Sequence, residues 1–116
     1  MDGNGDKPRI DTTDPSLALI AARLVEAFHP EKVYLFLFGS HAHGEAGPDS
    51  DYDIAVILSN DAPTQLSSTH AYRVLRGTGI AADVIVWRRK YFDDRVHLRA
   101  SLPGVIQEEG RLLYAA

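Results

Sequence analysis

The segment FLFGSHAHGEAGPDSDYDIAVI, residues 36–57, sets Gly39 and Ser40 directly after an apolar run and two aspartates, Asp51 and Asp53, one residue apart at the mouth of the next. Carboxylates held that close repel one another and lose solvation, so the pair calls for something positive between them. A third acid, Asp83, is the only charged residue inside IAADVIVW, residues 80–87. Side chains alternate between the faces of a strand, which puts Asp51 and Asp53 on one face about 6.5 to 7 Å apart, with Ala55 and Ile57 continuing that face into the core. Asp83 shares its face with Ile85 and Trp87. Three carboxylates from two non-adjacent strands that converge on a sheet rim suit one or two hard divalent cations with oxygen ligands, Mg²⁺ first among them. Two such ions about 3.5 to 4 Å apart clamp an in-line phosphoryl displacement, one lowering the pKa of an attacking hydroxyl and the other stabilising charge on the leaving pyrophosphate. Gly39 lets the backbone approach a phosphate, and Ser40 adds a hydroxyl beside the free N–H groups of a helical turn.

The elements that must position these groups follow from periodicity and punctuation. Asp14 and Pro15 read as N-cap and first helical position, followed by Leu17, Ile20, Ala21, Leu24, Val25 and Phe28 at helical spacing up to Pro30. KVYLFLF, residues 32–38, is a β-branched and aromatic run too short for a buried helix and predicts a central strand ending at Gly39. A single helical turn from Ser40 to about Glu45 precedes a GPDSD loop, and YDIAVIL, 52–58, resumes as a strand. A helix is expected from about Thr64 to Arg76, stopped by Gly77 and Gly79, and then a third strand over 80–87. Tyr91 to about Leu98 predicts a short helix, Ser101 caps another through Glu109, and LLY near the C-terminus suggests an edge strand. The expected class is therefore α/β (α+β), a small mixed β-sheet of three or four strands packed against helices.

Rival motifs fail on particular residues. Gly39 and Gly44 fit half of a phosphate-binding P-loop, but Glu45 and Ala46 stand where Lys and Ser or Thr are required. Asp49, Asp51 and Asp53 imitate a calcium loop, yet its sixth position is Ile54 and its twelfth is Asn60. GTGIAA, 77–82, precedes a strand instead of following one, so it is a helix stop and turn, not a dinucleotide fingerprint.

Composition narrows the class. The 116 residues suit one domain, and 45% hydrophobic with 24% charged residues is ordinary for a globular chain. A formal charge of −4 gives no footprint for nucleic acid or an anionic membrane. With no cysteine there is no disulfide framework and no thiolate metal site. The opening lacks a signal-peptide core and no run approaches about 18 apolar residues, so a cytoplasmic protein with no membrane partner is expected. Residues 1–13 read as a flexible tail and 14–116 as the domain.

Gly39 and Ser40, ten residues, Asp51-Tyr52-Asp53 and a later Asp83 together resemble the DNA polymerase β nucleotidyltransferase superfamily. The short chain and its closing IQEEGRLLY, 106–114, look like the minimal nucleotidyltransferases, with the similarity covering residues 16–114. That resemblance implies the nucleotidyltransferase fold, two Mg²⁺ ions, ATP as substrate, and a HEPN ribonuclease toxin as partner, a tyrosine hydroxyl of which would receive AMP. It implies that Gly39 and Ser40 hold the triphosphate, that Asp51 and Asp53 ligate both metals, and that Asp83 ligates the metal activating the acceptor. A non-catalytic antitoxin that neutralises by binding, and transfer to a small molecule, are the alternatives.

One departure is chemical. The family commonly reads Gly-Ser-x-Ala-Arg-Gly, and His43 occupies the arginine position as the expected nucleotide contact. Histidine lacks the permanent charge and two-pronged grip of arginine, which implies a weaker or pH-dependent hold on the nucleotide. His41 reads as an exposed turn histidine, and Arg88, Arg89 and Lys90 as a solvated cap of the third strand. Tyr72, Tyr91 and Phe92 leave stacking on a base, filling an interface and core packing open.

Overall fold

The structure, a computed structural model, describes residues 9–115. The first helix, α1 (Pro15–Phe28), starts where the sequence sets its cap: one Asp14 carboxylate oxygen accepts from the N–H groups of Ser16 and Leu17 at 3.0 and 3.4 Å. Leu17, Ile20, Ala21, Leu24 and Phe28 are buried along one stripe, the spacing a helix gives an apolar face. Strand β1 (Val33–Phe38) leads into a one-turn helix, α2 (Ser40–His43), and then β2 (Tyr52–Leu58). After α3 (Ser68–Leu75) come β3 (Ala82–Arg88), α4 (Arg89–Arg95), α5 (Leu102–Glu109) and β4 (Arg111–Ala115).

These four strands form one mixed sheet in the order β3-β2-β1-β4. β1 pairs antiparallel with both β2 and β4, while β2 and β3 run parallel, joined across α3. Alternation sorts the residues onto two faces. Val33, Leu35 and Leu37 of β1 and Ile54, Val56 and Leu58 of β2 meet α1 and α3 in the larger core, whereas Ala55 and Ile57 pack with Phe92 of α4 and Ile106 of α5 on the other side. β2 is buried on both faces from Ile54 to Leu58, as a central strand between helices must be.

The mixed α/β class and the edge position of the last strand are as expected, and two helix starts and one strand relation differ. α3 begins at Ser68, not near Thr64, because the Arg88 guanidinium donates to the carbonyls of Ala62, Pro63 and Leu66 and so holds 62–66 as a loop. α4 begins at Arg89, two residues early, with the Asn60 side chain accepting from the Lys90 N–H at 2.7 Å. The acid-bearing strands β2 and β3 are direct neighbours in the sheet, not the non-adjacent pair expected, because the connection through α3 returns the chain parallel beside β2.

Of the tail expected over residues 1–13, residues 1–8 lie outside those described. From residue 9 the chain runs beside β4, with the Asp11 N–H donating to the Leu113 carbonyl at 2.9 Å and Ile10 packed against the larger core. Among the described residues no helix is long and apolar enough to cross a membrane.

Candidate active site

Phe38, at the end of β1, pairs with Asp53, and Asp53 pairs in turn with Asp83. Paired residues on adjacent strands point to the same face about 5 Å apart, so register alone brings the second and third acids side by side. Asp51 stands one step outside β2, exposed at its entrance. All three acids lie at the end of the sheet where β1 stops and β2 and β3 start, the end that carries the Gly39 turn. Arg88, Arg89 and Lys90 lie at the opposite end of β3, where Arg88 ties down the 62–66 loop and the other two pair with Asp93 and Asp94 on α4.

Gly39 joins the two halves of the site. Its φ of 74° and ψ of −156° belong to a region open to glycine alone, and a Cβ there would collide with the Asp53 carboxylate oxygen Oδ2. The glycine between β1 and α2 is thus what lets the acid of β2 stand against the serine turn. Ser40 opens α2, and its carbonyl accepts from Glu45 N–H at 3.0 Å as the turn closes. The first N–H groups of such a turn have no partner inside the helix.

Electrostatics agree with the register. Burial raises the Asp53 carboxyl above its ordinary value, the charges of Asp83 and Asp51 raise it further, and the nearby His41 opposes them. Among the described residues none of the three acids pairs with a cation, and their repulsion is uncompensated. A hard cation would relieve it, and three oxygen donors with no sulfur suit Mg²⁺. In their present rotamers no three Asp, Glu or His side chains among the described residues enclose a metal position.

The histidines depart from expectation. His41 is half-buried, its ring stacked on Tyr52 with centroids 3.9 Å apart and planes 14° apart, and its Nε2 is 3.0 Å from the Ser50 carbonyl. His43 turns to the end of α5, where Nε2 meets Glu109 Oε1 at 3.0 Å. Two tyrosines make contacts that the sequence does not foretell. The Tyr52 hydroxyl donates to Asp14 Oδ2 at 2.6 Å, and the Tyr72 hydroxyl accepts from Val84 N–H at 3.1 Å while lying 3.4 Å from Asp83 Oδ1. Alternation puts Tyr52 opposite its two aspartates, yet no local signal names a partner 38 residues away.

A family model described as the nucleotidyltransferase domain matches residues 19–113. The chain belongs to this family. Its fold is similar to that of a Sulfolobus solfataricus protein provisionally assigned as a nucleotidyltransferase, with a TM-score of 0.55 and 22% identity over 84% of this chain and 75% of the other. Two toxin-antitoxin structures share it as well. One, with AMP-PNP, has a TM-score of 0.57 and 20% identity over 84% of this chain and 73% of that one. The other, a mutant MntA-HpeT toxin-antitoxin, has a TM-score of 0.56 and 18% identity over 87% and 73% of the two chains. No curated protein matches this nucleotidyltransferase domain.

Proposed function

We propose that this nucleotidyltransferase domain transfers AMP from ATP to a hydroxyl, that of a tyrosine on a HEPN ribonuclease toxin, and so acts as that toxin's antitoxin. The observation that carries the chemistry is the register of Asp53 with Asp83, closed by Gly39 against the Asp53 carboxylate. Family membership supports the transfer of a nucleotide, and the shared fold with toxin-antitoxin structures, one of them with AMP-PNP, supports the partner and the substrate.

In this reading Asp51 and Asp53 would hold two Mg²⁺ ions, and Asp83 would be a further ligand to one of them. Mg²⁺ when bound lowers the pKa of the acceptor hydroxyl and neutralises charge on the pyrophosphate. Gly39 and Ser40 receive the triphosphate through backbone N–H groups and the serine hydroxyl. His43 adds a phosphate contact by exchanging its Glu109 partner for the nucleotide, a hold weaker than the two-pronged grip of arginine. Raised proton affinity at Asp53 makes the site most competent above the ordinary carboxylate pH, where that acid has lost its proton.

Incubation of the chain and its toxin with labelled ATP and Mg²⁺ tests this directly. Label should reach a toxin tyrosine, and Asp53→Asn should lower the rate by about a hundredfold or more, the scale of losing one group that stabilises the transition state. Neutralisation of the toxin with no label on it would support the binding-only antitoxin instead. The imidazole of His43, already engaged by Glu109, is the observation that keeps that second reading in play.

A further inference from the structure

Tyr52 stands between the two aspartates of β2 and points away from them. From there it touches both the start of α1 and α2, the turn that carries Ser40. Its hydroxyl donates to Asp14 Oδ2 at 2.6 Å, and the other oxygen of that carboxylate caps the first turn of α1. Its ring carries the imidazole of His41, the neighbour of Ser40. His41 in turn holds the Ser50 carbonyl, and Ser50 is bonded to Gly47 through both its N–H and its hydroxyl. A single chain of contacts therefore runs from α1 through the acid strand to the serine turn and back to the residue before Asp51.

That chain matters because the other contacts that fix the serine turn are slight: Ala42 packs half-buried against the larger core and the exposed His43 meets Glu109. α2 has four residues and none of them is buried, and a helix of one turn is not stable by itself. Asp51 likewise lies outside the hydrogen-bonded strand and is exposed. By contrast α1 is anchored through Leu17, Ile20, Ala21 and Leu24, all buried in the larger core. We propose that Asp14, Tyr52 and His41 are positioning residues that transmit the rigidity of α1 to the site and set the distance between the Gly39-Ser40 turn and the carboxylates. The proposal rests on the nucleotidyltransferase reading, since only a ligand that spans turn and acids is sensitive to that distance. A bridging ligand loses its second anchor when two halves of a site shift by about an ångström, even with every contact residue intact.

Tyr52→Phe removes the hydroxyl and keeps the ring on His41, whereas His41→Ala removes the stack and keeps the hydroxyl on Asp14. Val33→Ala, buried in the larger core at the end of β1 away from Gly39, serves as a stability control. AMP-PNP is titrated calorimetrically into each chain with and without Mg²⁺, and amide exchange of residues 40–44 is followed in the free chain. Each of the two brace variants should lose about tenfold in Mg²⁺-dependent affinity, the scale of one hydrogen bond to a charged group, and exchange faster in the turn. The double variant should lose no more than the weaker single one, because both act through one connected unit. Val33→Ala should lower the Tm and bind like the parent. The positioning role is overturned if the brace variants bind within about twofold of the parent, if their losses multiply, or if Val33→Ala weakens binding equally. A parent chain that binds AMP-PNP no better with Mg²⁺ than without would instead bring down the nucleotidyltransferase reading itself, and this inference with it.

Discussion

Asp53 concentrates the site's conflict between stability and function. It is the one site acid with neighbours on both sides, Asp83 across the ladder and Asp51 along the chain, and it is also packed against Gly39. Its carboxyl is raised by burial first and by the two acids second, so the folded state binds this proton more readily than the unfolded chain. Stability therefore falls as pH rises from below the ordinary carboxylate value of 3.8 through the higher folded value, and the penalty persists at neutral pH. Asp53→Asn keeps the shape and removes the charge. The expected outcome is a higher Tm than the parent at pH 7 without metal, a gap that closes below about pH 3.8, and activity lowered by about a hundredfold. Differential scanning calorimetry across that pH range, beside a labelled-transfer assay, checks both halves. A lower Tm at pH 7 would mean that the carboxylate makes a stabilising contact.

The elements differ in how much of their placement is local. Asp14 with Pro15, and Ser101 two residues before Pro103, fix two helix starts by chemistry confined to four residues, and both appear where the sequence sets them. Alternation along β2 likewise sends Asp53 with Ala55 and Ile57 to one face and Ile54, Val56 and Leu58 to the other. What could not be read depends on side chains that reach across the fold. Arg88 delays the start of α3 from 22 residues or more away, Asn60 advances α4 from 30, and Glu109 captures His43 from the far end of α5. Asp14 belongs to both kinds, a legible cap and an illegible partner of Tyr52. Replacing it with Ala should cost about 1 kcal/mol for the cap and about 1 kcal/mol more for the bond from Tyr52. The Asp14 carboxyl is held below its ordinary value by the Tyr52 hydroxyl first and by the N–H groups of the helix start, so its contribution is present above pH 3.8 and is lost as pH falls through the lower folded value. Urea unfolding of Asp14→Ala and the parent at pH 7 and in strong acid should show a gap that narrows in acid. A gap independent of pH would assign the loss to packing alone.

At the scale of the whole molecule the sheet separates charge by end. The strand order β3-β2-β1-β4 places three carboxylates with no cation partner among the described residues where β2 and β3 begin, while the basic cluster of Arg88, Arg89 and Lys90 is spent at the other end on carbonyls and on α4. Within a chain whose formal charge is only −4, that end carries a concentrated repulsion which folding creates and which the unfolded chain does not feel. A divalent cation that enters it binds the native state and not the unfolded one, so the fold itself should report the site without any partner or nucleotide. The stabilisation grows with the ratio of free ion to dissociation constant and reaches about 2.7 kcal/mol at a hundredfold excess. Mg²⁺ should accordingly raise the Tm of the parent progressively with concentration, whereas equal ionic strength of NaCl, which only screens, should raise it less and level off. Asp83→Asn tests whether the edge strand belongs to the same ion site. It leaves Asp51 and Asp53 intact on β2, so a site built from that pair alone would keep its Mg²⁺ response. A response that weakens markedly in Asp83→Asn, and vanishes in Asp53→Asn, is the outcome expected of acids that the parallel pairing of β2 and β3 has brought onto one ion.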